Sequence, residues 1–227
     1  MTTYRIEIVS DVVCPWCYVG KNRLDAAIAS HKTRFPQDTF STTWAPFYLN
    51  PDAPKQSVDK QAMYESKFGV QRTRMMQIRL AQIGKSVGIE FGFGGKTGNT
   101  RDAHRLIQLA KTKGEETQTR VVERLFNAYF EKNQDITDHA VLSRAAVEGG
   151  IGAEEVEEWL GSDKGGPEVD REVAQAKRKF ISGVPNFTIN DVFEVQGAEE
   201  PSAFLDIFRQ IKQKSEDTST VSSGNTC

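Results

Sequence analysis

Residues 4–9 alternate, with Tyr4, Ile6 and Ile8 on one face and Arg5, Glu7 and Val9 on the other. A period of two predicts a β-strand. From about Trp16 to His31 the apolar period lengthens to that of a helix, placing Leu24, Ala27 and Ile28 on one side. Thr39–Ala45 alternates again, Phe40, Thr42 and Trp44 against Ser41 and Thr43. The first fifty residues therefore predict β-α-β, and a crossover helix implies two parallel strands.

Pro46, Pro51 and Pro54 end the sheet pattern, and from about Val58 to Ser182 the period is helical. Arg101–Lys111 gathers Ala103, Leu106, Ile107 and Ala110 on one face, and Thr117–Phe130 gathers Val121, Val122, Leu125, Phe126, Tyr129 and Phe130. Asp138 is placed to cap a helix carrying Val141, Leu142, Ala145 and Ala146. A later helix presents Val169, Val173, Ala176 and Phe180, with Gly183 as its stop. Phe187–Ile189, a turn at Asn190-Asp191, and Val192–Val195 predict a hairpin. A last helix begins near Pro201 and buries Phe204, Leu205, Phe208 and Ile211. The expected plan is α/β: a β-α-β and β-β-α core formed by residues 1–54 and 183–213, a large all-helical insertion at 55–182, and a disordered tail at 214–227 rich in Ser, Thr and acidic residues.

Composition narrows the function. With 29 basic against 31 acidic residues the chain offers no field for nucleic acid or an anionic membrane. No apolar stretch approaches the ~20 residues that span a bilayer. The N-terminus leads straight into the first strand without a signal-peptide pattern, which makes a cytoplasmic location the expectation. Three cysteines, Cys14, Cys17 and Cys227, are too few for a disulfide scaffold. One C-x-x-C with scattered histidines at 31, 104 and 139 does not make a zinc site, so no metal is expected. Gly92–Thr97 resembles a phosphate loop, but Glu90 stands where that motif needs glycine, and a flexible loop beside the active site is expected instead.

The chemistry concentrates at Cys14-Pro15-Trp16-Cys17, where a strand gives way to a helix. Unpaired N–H groups and the positive end of the helix dipole favour thiolate at Cys14, the attacking species in disulfide exchange. Cys17, one turn further in, is placed to resolve a mixed disulfide formed at Cys14. Pro15 presets the first helical φ, and Trp16 offers a flat apolar surface beside the sulfur. Gly183-Val184-Pro185-Asn186 opens a strand that returns to the first sheet. A cis bond before Pro185 would leave the backbone of Val184 free to pair with an extended ligand.

Ser10–Lys21, Trp44–Pro51, Lys67-Phe68-Gly69, Asn99–Leu106, Ala128-Tyr129-Phe130, Gly183–Phe187 and Val195–Ala198 together resemble the FrnE-like branch of the DsbA family of thioredoxin-fold oxidoreductases, over about residues 4–213. The resemblance implies a thioredoxin-like core with a helical insertion, a nucleophilic Cys14, a resolving Cys17 and a cis-Pro185. It also sets the segment beginning at Asn99 against the redox site, making Asn99 and His104 candidates for ligand contact beside Pro15, Trp16, Val184 and Pro185. No cofactor is implied as a requirement, with glutathione open as a co-substrate. Related kappa-class glutathione transferases and 2-hydroxychromene-2-carboxylate isomerases typically use a serine-centred site; this chain keeps both cysteines. The expected function is thiol–disulfide exchange with a protein, glutathione or a small metabolite. Two alternatives stay open: a glutathione-dependent transferase or isomerase, and a non-catalytic binding module. A homodimer through the insertion is also open, and Cys227 has no assigned role.

Overall fold

The alternating N-terminal residues form an inner strand. In a computed structural model that describes residues 1–222, with side chains to residue 215, β1 (Thr3–Ser10) pairs in parallel with β2 (Thr39–Pro46). On its other side it pairs antiparallel with β5 (Asn186–Ile189), and β6 (Phe193–Gln196) completes the order β2-β1-β5-β6. The parallel pair is joined by the crossover helix α1 (Pro15–Arg34). β5 and β6, also antiparallel, are joined by a tight turn in which Asn190 and Asp191 both take positive φ, 50° and 63°. This is the geometry that a twisted two-stranded hairpin needs. The Asn190 side chain ties this turn to β1 by accepting from the Arg5 N–H at 2.7 Å.

Tyr4, Ile6 and Ile8 are fully buried, and so is Val9 on the opposite face, because helices cover both sides of the sheet. One layer is α1 with α9 (Pro201–Ser222), packed around Leu24, Phe187, Phe204 and Phe208. Each such aromatic stabilises the fold by roughly 2 kcal/mol through burial. The other layer belongs to the insertion between β2 and β5. It comprises β3 (Val58–Asp59), α2 (Lys60–Phe68), α3 (Val70–Ser86), β4 (Lys96–Thr97), α4 (Arg101–Thr112) and α5 (Glu115–Phe126). A π-helical turn (Asn127–Glu131), α6 (His139–Glu148), α7 (Ala153–Leu160) and α8 (Gly166–Arg178) follow. The buried Gln118 amide of α5 exchanges two hydrogen bonds with the Trp44 backbone, at 3.0 and 3.1 Å, so the outer edge of β2 is satisfied by a side chain.

Four expectations need correction. The insertion is not wholly helical: β3 and β4 form a two-residue ladder that ties the loop between α3 and α4 to the residues just before α2. Nor is that loop loose. The Gly92 N–H donates to the Phe130 carbonyl at 2.6 Å, and Gly95 (φ 86°) lies so close to Asn133 that a Cβ would stand 2.2 Å from its carbonyl oxygen. The last helix of the insertion stops at Arg178, not at Gly183, and Phe180 leaves it with φ 58° and 93% exposure. Finally, α9 continues through Lys214 to Ser222, since no proline or glycine interrupts it before Gly224 and extending a helix costs far less than nucleating one. Cys227 lies outside the described residues.

Candidate active site

Cys14 is the N-cap of α1, with extended φ and ψ of −91° and 110°, and Pro15 is the first helical residue. The Cys14 N–H donates to the Asp11 carbonyl at 3.0 Å and the Cys17 N–H to the Cys14 carbonyl at 3.0 Å, a turn that wraps both cysteines around the helix start. Both are free thiols. Their surroundings differ. Cys14 is 3% exposed and its Sγ donates to the Val184 carbonyl at 3.4 Å. Cys17 is wholly enclosed. Burial pushes the Cys17 thiol well above its usual range, and the hydrogen bond and charge of Cys14 push the same way. The Ser10 hydroxyl and the Asp11 backbone oppose this less strongly.

The Val184–Pro185 peptide bond is cis, and the carbonyl expected to await a ligand already accepts from the Cys14 thiol. Gly20 of α1 permits this approach. A Cβ there would stand 3.0 Å from the Phe187 ring and 3.1 Å from the Pro185 ring.

Below the dithiol, Asp11 is 1% exposed. One carboxylate oxygen accepts from the Leu49 N–H at 2.9 Å, and the other lies 3.3 Å from His104 Nε2. That nitrogen also faces the Phe47 carbonyl at 3.1 Å. With an acceptor on both sides, Nε2 carries the proton. His104 is thus an interior residue, 3% exposed, set between Asp11 and the Phe47 carbonyl. Asn99 is likewise occupied: it accepts from the Arg101 N–H at 2.9 Å and reaches the Ala53 carbonyl at 3.4 Å. Its neighbours Gly98 and Thr100 are the residues that reach a cleft wall.

Two clefts flank the site and share Tyr64 of α2. The first, about 180 Å³, is bounded by Pro15 and Trp16 and walled by Met76, Phe91, Phe93 and Phe130. The second, about 270 Å³, is more polar and includes Asp11, Asn50, Lys67 and Thr100. Burial, then the nearby Cys14 and Asp11, push the Tyr64 phenol up. Lys60, the first residue of α2, also lines the apolar cleft, with its Nζ donating to the Tyr129 carbonyl at 3.2 Å. Neither Tyr64 nor Lys60 carries a signal in the sequence, since α2 reads as an ordinary polar helix start.

A DSBA-like thioredoxin domain model matches residues 5–209, nearly the whole chain. The chain belongs to this family. The curated relative YwbO of Bacillus subtilis, an uncharacterized protein, is 27% identical over 208 residues, covering 89% of this chain and 94% of that one. Among solved structures, a probable DsbA oxidoreductase from Streptomyces coelicolor superposes with a TM-score of 0.83 at 27% identity, covering 92% of this chain and 90% of its own. The cytosolic disulfide reductase DsbM of Pseudomonas aeruginosa shares the fold at a TM-score of 0.58 and 16% identity, over 96% of this chain and 99% of its own, and has also been solved with GSH. In this member of the DSBA-like family the dithiol at the start of α1 sits at the junction between the sheet and the helical insertion.

Proposed function

We propose that this chain is a thiol–disulfide oxidoreductase of the FrnE-like branch, with Cys14 as nucleophile and Cys17 as resolving thiol. The observation that carries the reading is the inequality of the two sulfurs. Cys14 lies at the helix N-terminus beside Trp16, while Cys17 is sealed beneath it with its proton held tightly. In the reducing direction Cys14 thiolate attacks one sulfur of a substrate disulfide, the S–S bond breaks, and one substrate thiol leaves. A mixed disulfide remains on Cys14. Cys17 then gives up its proton and attacks Cys14 Sγ, releasing the second substrate thiol and leaving a Cys14–Cys17 disulfide. Two electrons pass from the dithiol to the substrate, and the Cys17 proton and one proton from solvent end on the leaving sulfurs. Charging Cys14 raises the barrier to ionising Cys17, and loss of that charge in the mixed disulfide lowers it, so resolution is favoured only after attack.

Glutathione is a co-substrate in the second reading, which the GSH complex of DsbM supports by fold alone. A cytoplasmic setting fits either reading, as does a homodimer through the insertion. Among the described residues no helix is long and apolar enough to cross a membrane. The test is mass spectrometry of adducts held by Cys17→Ser. Exchange predicts a covalent partner on Cys14 that reductant releases; an unmodified Cys14 in cells with unchanged activity overturns it. Tight glutathione binding that persists without Cys17 would select the second reading. A partner held equally by Cys14→Ser would select a binding module.

A further inference from the structure

Helix α3 hardly enters the core: of its 17 residues only Thr73 and Gly84 are buried. On the helical period Met75 and Ile78 lie on the opposite face, and they are 72% and 52% exposed. Arg74 and Lys85 run along one side of that face, Arg72 and Arg79 along the other. Residues 66–89 hold five cations, these four and Lys67, and no acid, in a chain whose net charge is −2. All five are exposed, and among the described residues none has a carboxylate within ion-pair distance. Lys67 and Arg72 rest instead over the Phe68 ring, at 5.4 and 5.9 Å. Arg101 and Arg105 of α4, by contrast, meet Asp163, Asp170 and Asp102. The surface continues to the redox edge. Met76 and Arg79 border two adjoining concavities, one holding Pro15 and Trp16, the other Arg72 and Met75.

Adaptable apolar side chains between two rows of unpaired cations are complementary to an acidic surface with an apolar centre. We propose that α3 is a docking face for protein substrates that are acidic around their disulfide, holding the partner while its S–S bond meets Cys14. This rests on the reading of Cys14 as nucleophile and names the class of its substrate. From Arg72 to Lys85 the face is about 20 Å long at 1.5 Å per residue, so a small disulfide held at Cys14 leaves most of it uncovered. An anionic membrane needs a broader apolar face with aromatic or leucine side chains. Here Gln71 and Gln82 interrupt the stripe, and Met75 and Ile78 are its apolar content.

The test uses the full chain and labelled peptides of about ten residues. They share an apolar centre, carry either glutamate or lysine flanks, and contain serine in place of cysteine. Fluorescence anisotropy at about 20 mM salt should show the acidic peptide bound at least about tenfold more tightly, with the gap shrinking at about 0.3 M. Arg72→Glu combined with Arg79→Glu should abolish the preference. Lys32→Glu combined with Arg34→Glu, the same charge change at exposed positions on the far end of α1, should keep it. No preference in the wild type, a preference that survives the α3 pair, or equal loss in both pairs would each overturn the proposal. So would wild-type binding to vesicles with anionic lipid but to neither peptide, or a wild-type dimer that the α3 pair dissociates. The wild-type comparison decides even if a variant fails to fold. Since the peptides hold no sulfur, failure here leaves the role of Cys14 standing, and failure of disulfide exchange leaves this result standing.

Discussion

Two buried histidine–aspartate pairs stand at opposite ends of β1, and they serve different ends. At the start of the strand Asp38 accepts from the Thr2 N–H at 2.8 Å, from His31 Nε2 at 2.9 Å and from Lys212 at 2.9 and 3.0 Å. Tyr4, Phe40 and Phe208 pack their rings against His31. Every group there is neutralised or enclosed, and the cluster ties the N-terminus, α1 and α9 together. At the other end Asp11 and His104 also pair, but here the carboxylate holds a loop rather than a cation, accepting from Leu49, and the dithiol lies directly above. Identical residue types close the core at one end and support a reactive edge at the other. The difference lies in the lysine: Lys212 pairs with Asp38, while Asp11 has only His104 as an ion-pair partner among the described residues.

The strongest way to separate the ends is chemical. Cys14→Ser should slow single-turnover thiol release from dithiodipyridine by roughly 10³-fold or more, with no loss of thermal stability. A comparable rate in the variant would mean that Cys17 attacks directly. Asp38→Asn should do the opposite: exchange is retained in the folded protein, while denaturant unfolding shows a loss of about 3 kcal/mol because Lys212 loses its buried counter-charge. Asp11→Asn, with no lysine partner, should cost less. Equal losses at the two positions would break the contrast drawn here.

Overpacking between the ends is a smaller perturbation. Gly20→Leu must displace the Pro185 or Phe187 ring, with an expected cost of about 2 kcal/mol and a slower exchange rate, since the Val184 carbonyl moves from Cys14. Unchanged kinetics would show that the Cys14–Val184 contact is incidental. The smallest effect is the acid response. Burial alone would raise the Asp38 pKa, but hydrogen bonds from His31, Lys212 and Thr2, with the Lys212 charge, bring it down to about 2. Its contribution is therefore complete above its unfolded value of 3.8 and disappears as pH falls toward 2. Asp38→Asn should flatten unfolding curves over that interval, and an unaltered acid slope would assign the response elsewhere.

How much of this was legible in the chain depended on distance along it. The strand alternation at 4–9 and 39–45, the crossover helix and the hairpin turn are local patterns, and the sheet follows from them. Asp138 caps its helix as its position suggests, accepting from the Ala140 N–H at 2.9 Å. The cysteine pair was equally plain. What escaped was decided by contacts across long separations. Lys60 stands between Asp59 and Gln61 and reads as solvent-facing, yet Tyr129, 69 residues away, and the Gly95 carbonyl draw it inside. The resemblance puts His104 near the dithiol, but its partners, Asp11 and the Phe47 carbonyl, lie 93 and 57 residues away and carry no local signal. Phe180 continues an apolar helical stripe by period, and only the early end of α8 reveals it as exposed.

The account's central claim is the unequal standing of Cys14 and Cys17, and alkylation of the reduced protein at neutral pH tests it most directly. Iodoacetamide time courses, followed by peptide mass mapping, should show Cys14 modified at least about tenfold faster than Cys17, whose proton burial and Cys14 hold in place. Equal rates, or Cys17 labelled first, would contradict it.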